Sequence, residues 1–93
     1  MIQSFRDDDT EAVFNGETPR GFAAPIKVAR RKLEMLNAAT RLEDLRVPPN
    51  NRLEALKGDR AGQHSIRVND QYRVCFVWTD AGPKDVEIVD YHD

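Results

Sequence analysis

Ninety-three residues, 40% of them hydrophobic and 32% charged, suffice for one modest core, so one domain spanning residues 1–93 is expected. No apolar run reaches the length of a membrane span, no signal peptide is expected before the first strand, and the single cysteine, Cys75, excludes an internal disulfide and fits a reducing, cytoplasmic setting. With only His64 and His92 as histidines, no metal or other cofactor is expected. The net charge of −2 hides an asymmetry: residues 1–17 and 77–93 are each net −4, and residues 18–76 are net +6. A basic middle of this kind permits binding to a polyanion, although charge runs also serve as plain solvated surface.

In chain order, Ile2 to Phe5 reads as a short first strand. Asp7-Asp8-Asp9-Thr10 places carboxylates and cap-type residues ahead of Glu11-Ala12-Val13-Phe14, which predicts a short helix ended by Asn15-Gly16. Thr18 to Gly21 is a loop. The main helix is expected over about Ala24 to Ala38, with Pro25 in its first turn and Ile26, Ala29, Leu33 and Leu36 as its buried stripe. Lys27, Arg30, Arg31 and Lys32 fall largely off that stripe and serve either as a solvated face or as contacts to RNA phosphates or a partner protein. Thr40-Arg41-Leu42-Glu43 has the form of a capping box, with Thr40 as cap and Glu43 at the third helical position, opening a short helix through Leu45. Val47 to Asn51 stops it, Leu53 to Leu56 is a short extended segment, and Lys57 to Gly62 is a polar turn with two glycines.

A hairpin follows over about Gln63 to Trp78. A two-residue loop at Asn69-Asp70 would place Ile66 on one face with Arg73. A three-residue loop, Asn69 to Gln71, pairs Val68 with Tyr72 and Ile66 with Val74. It gathers Ile66, Val68, Tyr72, Val74 and Phe76 on one face and Ser65, Arg67 and Arg73 on the other, so the second register is preferred. Gln71 would then occupy the position that usually takes Gly or Asn in a left-handed conformation. The guanidinium groups of Arg67 and Arg73 would face each other across an exposed surface, either as an anion site or as two independent solvated arginines. Asp80 to Pro83 turns the chain into a last strand, Asp85 to His92. The fold class is α+β: an N-terminal strand and helices packed on one face of a small antiparallel sheet.

The chain finishes on Asp90-Tyr91-His92, three side chains able to take part in proton transfer. Strand alternation places Asp90 and His92 on one face and Tyr91 on the other. Together with Lys57, Arg67 and Arg73 they form a set suited to RNA cleavage. The cations would neutralise the phosphate as charge builds, a base would take the 2′-OH proton and an acid would protonate the leaving 5′ oxygen. No nucleophilic Ser or Cys triad and no Gly-rich phosphate loop is present in the sequence. The same three terminal residues also suit an exposed strand end with polar decoration.

Leu56-Lys57-Gly58-Asp59-Arg60, Asn69-Asp70-Gln71-Tyr72-Arg73 and Asp90-Tyr91-His92, in that order, resemble the HigB toxins of the RelE/ParE superfamily. Met1 to Phe5 and Leu36 to Thr40 resemble it too, so the likeness covers nearly the whole chain. The resemblance implies the RelE-like fold and a ribosome-dependent, metal-independent mRNA endonuclease in which the 2′-OH attacks the adjacent phosphate. It implies a HigA-like helix-turn-helix antitoxin as partner and the ribosome with its mRNA as target. Operator DNA would be reached only indirectly, through the antitoxin, and no membrane is involved. On matching positions, Lys57 and Arg73 would stabilise phosphate charge. Asp90, Tyr91 and His92 would form the acid/base end, with His92 the leading proton-transfer group. Arg67, Asn69 and Arg60 are expected to contact RNA. Some family members carry an arginine where this chain has Asn69; Arg67, two residues earlier, is the candidate to take over that role here. RelE-like toxins are also often strongly basic, unlike this chain.

Three function classes follow: an RNase, a gyrase poison of the ParE type on the same fold, and a ribosome-directed binder without efficient cleavage. The Asp90-Tyr91-His92 end and the Lys57/Arg73 pair favour the first, because a pure binding module needs no proton donor there.

Overall fold

The computed structural model describes residues 1–91. Two α-helices, α1 (Asp8–Phe14) and α2 (Ile26–Ala38), lie on one face of a four-stranded antiparallel sheet. The strands are β1 (Glu54–Ala55), β2 (His64–Arg67), β3 (Tyr72–Thr79) and β4 (Gly82–Asp90), in spatial order β1-β2-β3-β4.

α1 starts where its carboxylates direct it. Asp7 caps the helix, its side chain accepting from the Thr10 backbone N–H at 2.6 Å and from the Thr10 hydroxyl at 3.0 Å. The same hydroxyl accepts from the Ile88 N–H at 3.1 Å, which ties α1 to β4. α2 buries Ala29, Leu33 and Leu36 against Ile66, Val74, Phe76 and Val86, as the 3.6-residue spacing predicts. Arg30 donates to the carbonyls of Val13 and Glu17, each at 2.9 Å, and so satisfies groups around the end of α1.

Several expectations need correction. Lys32 is not on the solvated face: it is only 7% exposed, and its ammonium donates to Asn51 Oδ1 at 2.6 Å. Burial, reinforced by Arg31 and Arg67, lowers its pKa. The fully buried Asn51 explains the placement, because its amide also donates to the Leu45 carbonyl at 3.1 Å and needs a donor for its oxygen. The capping box is shifted by one residue. Asp44, rather than Glu43, accepts from the backbone N–H groups of Thr40 and Arg41, each at 3.0 Å. The segment is a 3-10 turn over Leu42–Arg46 whose cap is Arg41 rather than Thr40, so Asp44 stands at the third position. Residues 2–5 form no regular strand. They run extended beside β4, bridged in parallel at Phe5 and Val86, with Gln3 N–H on the Pro83 carbonyl at 2.7 Å and Arg6 N–H on the Val86 carbonyl at 2.9 Å. This segment passes so close to β4 that a Cβ on Gly82 (φ 129°) would collide with the Met1 carbonyl.

The hairpin has the three-residue-loop register: Ile66 pairs with Val74 and Arg67 with Arg73. Gln71 is not left-handed. Asn69 Oδ1 accepts from the backbone N–H groups of Gln71 (2.9 Å) and Tyr72 (2.7 Å), and this side-chain turn replaces the left-handed residue. β4 begins at Gly82, earlier than Asp85, because the connection from Thr79 needs only Asp80 and Ala81. A bulge follows, with Asp85 at φ 52°. It lets Phe76 and Val86 both face the core and sets Glu87, Val89 and Tyr91 on the opposite face.

Candidate active site on the open face of the sheet

The sheet face away from the helices is built in cross-strand rows. Glu54, Ser65, Cys75 and Glu87 form one row across all four strands, and Arg67, Arg73 and Val89 form the next. The two small residues in the middle of the first row leave a trough between its two carboxylates, and two arginines fill it. Arg73, whose side chain is 12% exposed, donates through Nε to Ser65 Oγ at 2.7 Å and through Nη2 to the Arg52 carbonyl at 2.6 Å, with Glu54 3.8 Å away. Arg60 reaches in from the 3-10 turn Gly58–Arg60. Its Nη1 donates to Gln63 Oε1 at 3.0 Å and to Glu87 Oε1 at 2.8 Å.

Both guanidinium groups act on the charge of the Cys75 thiol between them. Burial nevertheless pushes that thiol up to about 11, so Cys75 stays protonated at neutral pH and is a floor for the site, with no nucleophilic role. Arg60 is held charged first by its hydrogen bond to Glu87, and Tyr91 is near enough to contribute. Tyr91 continues the face that carries Glu87, and its backbone N–H donates to the Gln71 carbonyl at 2.8 Å. The result is a pair of fixed guanidinium groups over a small-residue floor. Such groups match the geometry of a phosphate.

The structure sets Arg60 and Arg73 about Cys75, with Tyr91 further along the same sheet face, and disperses the others. Arg67 pairs with Arg73 in register, yet their guanidinium groups take separate partners: Arg67 forms an ion pair with Asp70 in the hairpin loop. The two arginines therefore do not form the facing pair expected from the register. Asn69 is occupied as the turn-forming acceptor within its loop. Lys57 is exposed and opens the turn that carries Arg60. Asp90 pairs with Tyr72, on the side opposite Arg73, and its carboxylate accepts from Gln71 Nε2 at 3.0 Å. The expected proton-transfer residue His92 lies outside the described residues. Sequence reasoning placed Ser65 on the face of Arg73 without its hydrogen bond, and missed Glu87 and the Arg52 carbonyl. Glu87 was findable: it stands two and four residues before Val89 and Tyr91 in an alternating strand, so it shares their face. The Arg52 carbonyl had no sequence signal, because its position depends on a left-handed residue at φ 45°.

Residues 3–92 match the family described as RelE-like toxin of type II toxin-antitoxin system HigB. The chain belongs to the HigB family of toxins. A stretch of 50 residues is 58% identical to Toxin HigB-1 of Vibrio cholerae and spans about half of each protein, 54% of this chain and 53% of that toxin. A longer stretch of 76 residues is 40% identical to an uncharacterized protein of Haemophilus influenzae, covering 80% of this chain and 75% of that one. Among solved structures, the YoeB-YefM complex from Staphylococcus aureus contains a chain with the same fold: TM-score 0.60 at 19% identity, over 100% of this chain and 99% of that one. HigB membership and this likeness agree with the α+β, RelE-like fold expected from the sequence.

Proposed function

We propose that this HigB-family toxin is a ribosome-dependent mRNA endonuclease that inhibits translation and growth. The observation that carries the reading is the Arg60–Arg73 pair bracketing the Ser65–Cys75 floor. Arg73 and Arg60 hold the scissile phosphate and stabilise its oxygens as charge builds during attack by the neighbouring 2′-OH. Lys57, at the start of the Arg60 turn, adds charge from the rim, and Arg67 and Asn69 guide the flanking strand. Tyr91, on the same sheet face, supplies a proton-transfer group, with His92 completing the acid/base end as the HigB resemblance implies; Asp90, on the other face, acts only through its neighbours. This chemistry runs through the RNA's own hydroxyl, so it requires no metal or covalent enzyme intermediate.

The toxin's partners in this reading are a HigA-like helix-turn-helix antitoxin and the mRNA-loaded ribosome, met in the cytoplasm. Operator DNA is reached only through the antitoxin. The antitoxin docks on a surface that includes part of the helical layer or the basic middle and need not cover the cleavage site. Primer extension on a defined transcript after induction tests the reading. Discrete new 5′ ends within the translated region support it, and growth arrest with intact transcripts overturns it.

A further inference from the structure

The two arginines of the trough are held in different ways. Arg73 is fixed mainly by uncharged acceptors, Ser65 Oγ and the Arg52 carbonyl. Arg60 starts on the turn that joins β1 to β2 and ends on Glu87 of β4. Its charged anchor there is Glu87. The Glu87 side chain is only 15% exposed, and its Oε1 receives Arg60 Nη1 at 2.8 Å while Arg6 Nη1 approaches to 3.5 Å. The carboxylate itself sits on stiff backbone, with β3 on one side of β4 and residues 3–6 on the other. Among the described residues, both Arg60 side-chain hydrogen bonds run through Nη1, one of the three nitrogens of the guanidinium.

We infer that Glu87 is a positioning residue of the cleavage site, acting through Arg60; this rests on the endonuclease reading. It aims the guanidinium fork over Cys75 and fixes the turn that begins at Lys57. Glu87 does not meet the phosphate. Its carboxylate holds in place a long side chain that would otherwise sample many rotamers, and fixed donors are what stabilise a developing charge.

The test uses the full chain in a purified translation system with ribosomes and one defined mRNA. The variants are Glu87→Gln, Arg60→Ala and the double variant. Glu87→Gln keeps the shape and loses the charge. Its kcat should fall about 10–100-fold with KM little changed. On the Arg60→Ala background the same change should cost nothing further, because both act through one group. A merely structural role would instead lower melting temperature and activity on both backgrounds. Wild-type kcat in a folded Glu87→Gln protein, or an equal loss on the Arg60→Ala background, overturns the inference. If Glu87→Gln shows no cooperative melt, Arg60→Lys replaces it: it keeps the ion pair but loses the fork, and an unchanged kcat then overturns the inference. Failure of the endonuclease reading looks different, because the wild type itself would leave the mRNA uncut.

Discussion

Replacing Arg73 perturbs stability and chemistry through different atoms, and the two can be separated. Arg73→Ala removes the 2.7 Å bond to Ser65 Oγ, a fully buried group, and the 2.6 Å bond to the Arg52 carbonyl near solvent. A hydrogen bond from a charged donor is worth about 1.5–3 kcal/mol, and the contact near solvent is worth less, so a loss of about 2–4 kcal/mol is expected. For a chain of this size each kcal/mol corresponds to roughly 4–8 °C in Tm. Arg73→Gln is the informative partner. Its amide nitrogen is as many bonds from Cβ as the arginine Nε, so it can still donate to Ser65 while carrying no charge. It should recover a good part of the lost stability and none of the activity. The expected deficit in kcat is about 10²–10³-fold for both variants, as for loss of one preorganised donor. Thermal melts, followed by mRNA cleavage at a temperature where both variants are folded, check this. Wild-type cleavage by Arg73→Gln would refute the role of the charge. An Arg73→Ala stability within ~0.5 kcal/mol of wild type, the range of ordinary surface changes, would refute the packing argument.

Leu33→Ala opens a cavity between α2 and the sheet and should destabilise by roughly 2–5 kcal/mol in urea titration; a surface-like change would mean the helix buries another face. Asp70→Asn releases Arg67 from its ion pair with a residue that is 99% exposed, so RNA affinity measured at low salt should rise by a factor of up to about five, and an unchanged or weaker affinity would count against an RNA role for Arg67. The Arg41 backbone N–H, aided by Thr40, holds Asp44 below the usual carboxylate range. The folded state therefore takes up this proton less readily than the unfolded chain. The stabilisation is full above the ordinary carboxylate pKa and is lost as the pH falls through the folded value. Asp44→Ala should lower the denaturation midpoint at pH 6 and converge with wild type in acid; a constant gap at all pH values would exclude the ionised cap.

The hairpin register was legible because one residue of slip would have mixed Ile66 with Arg73 on a single face. α1 and the α2 stripe were legible because cap chemistry and helical spacing are local signals. Lys32 was not, since its burial depends on Asn51, nineteen positions later, offering a buried acceptor. The shift of the cap from Glu43 to Asp44 followed from the turn starting one residue later, at Leu42, with Arg41 as its cap. Within the site, residue types pointed to a phosphate-binding surface but not to its geometry. The sequence reading set Arg67 against Arg73, whereas the trough pairs Arg60 with Arg73, because Ser65 and Cys75 are small enough for arginines to lie across them. That pairing needs four strands and a turn, and no window of sequence contains all of them.

The central claim is that the arginine face cuts mRNA on the ribosome. The most direct measurement maps 5′ ends across a translated transcript after induction of wild type, folded Arg73→Gln and folded His92→Ala, each with an antitoxin pull-down as a control for the fold. Discrete ends with wild type, none with either variant and undiminished antitoxin capture are predicted. Wild-type ends from both folded variants, or growth arrest by wild type without any new end, would contradict the account.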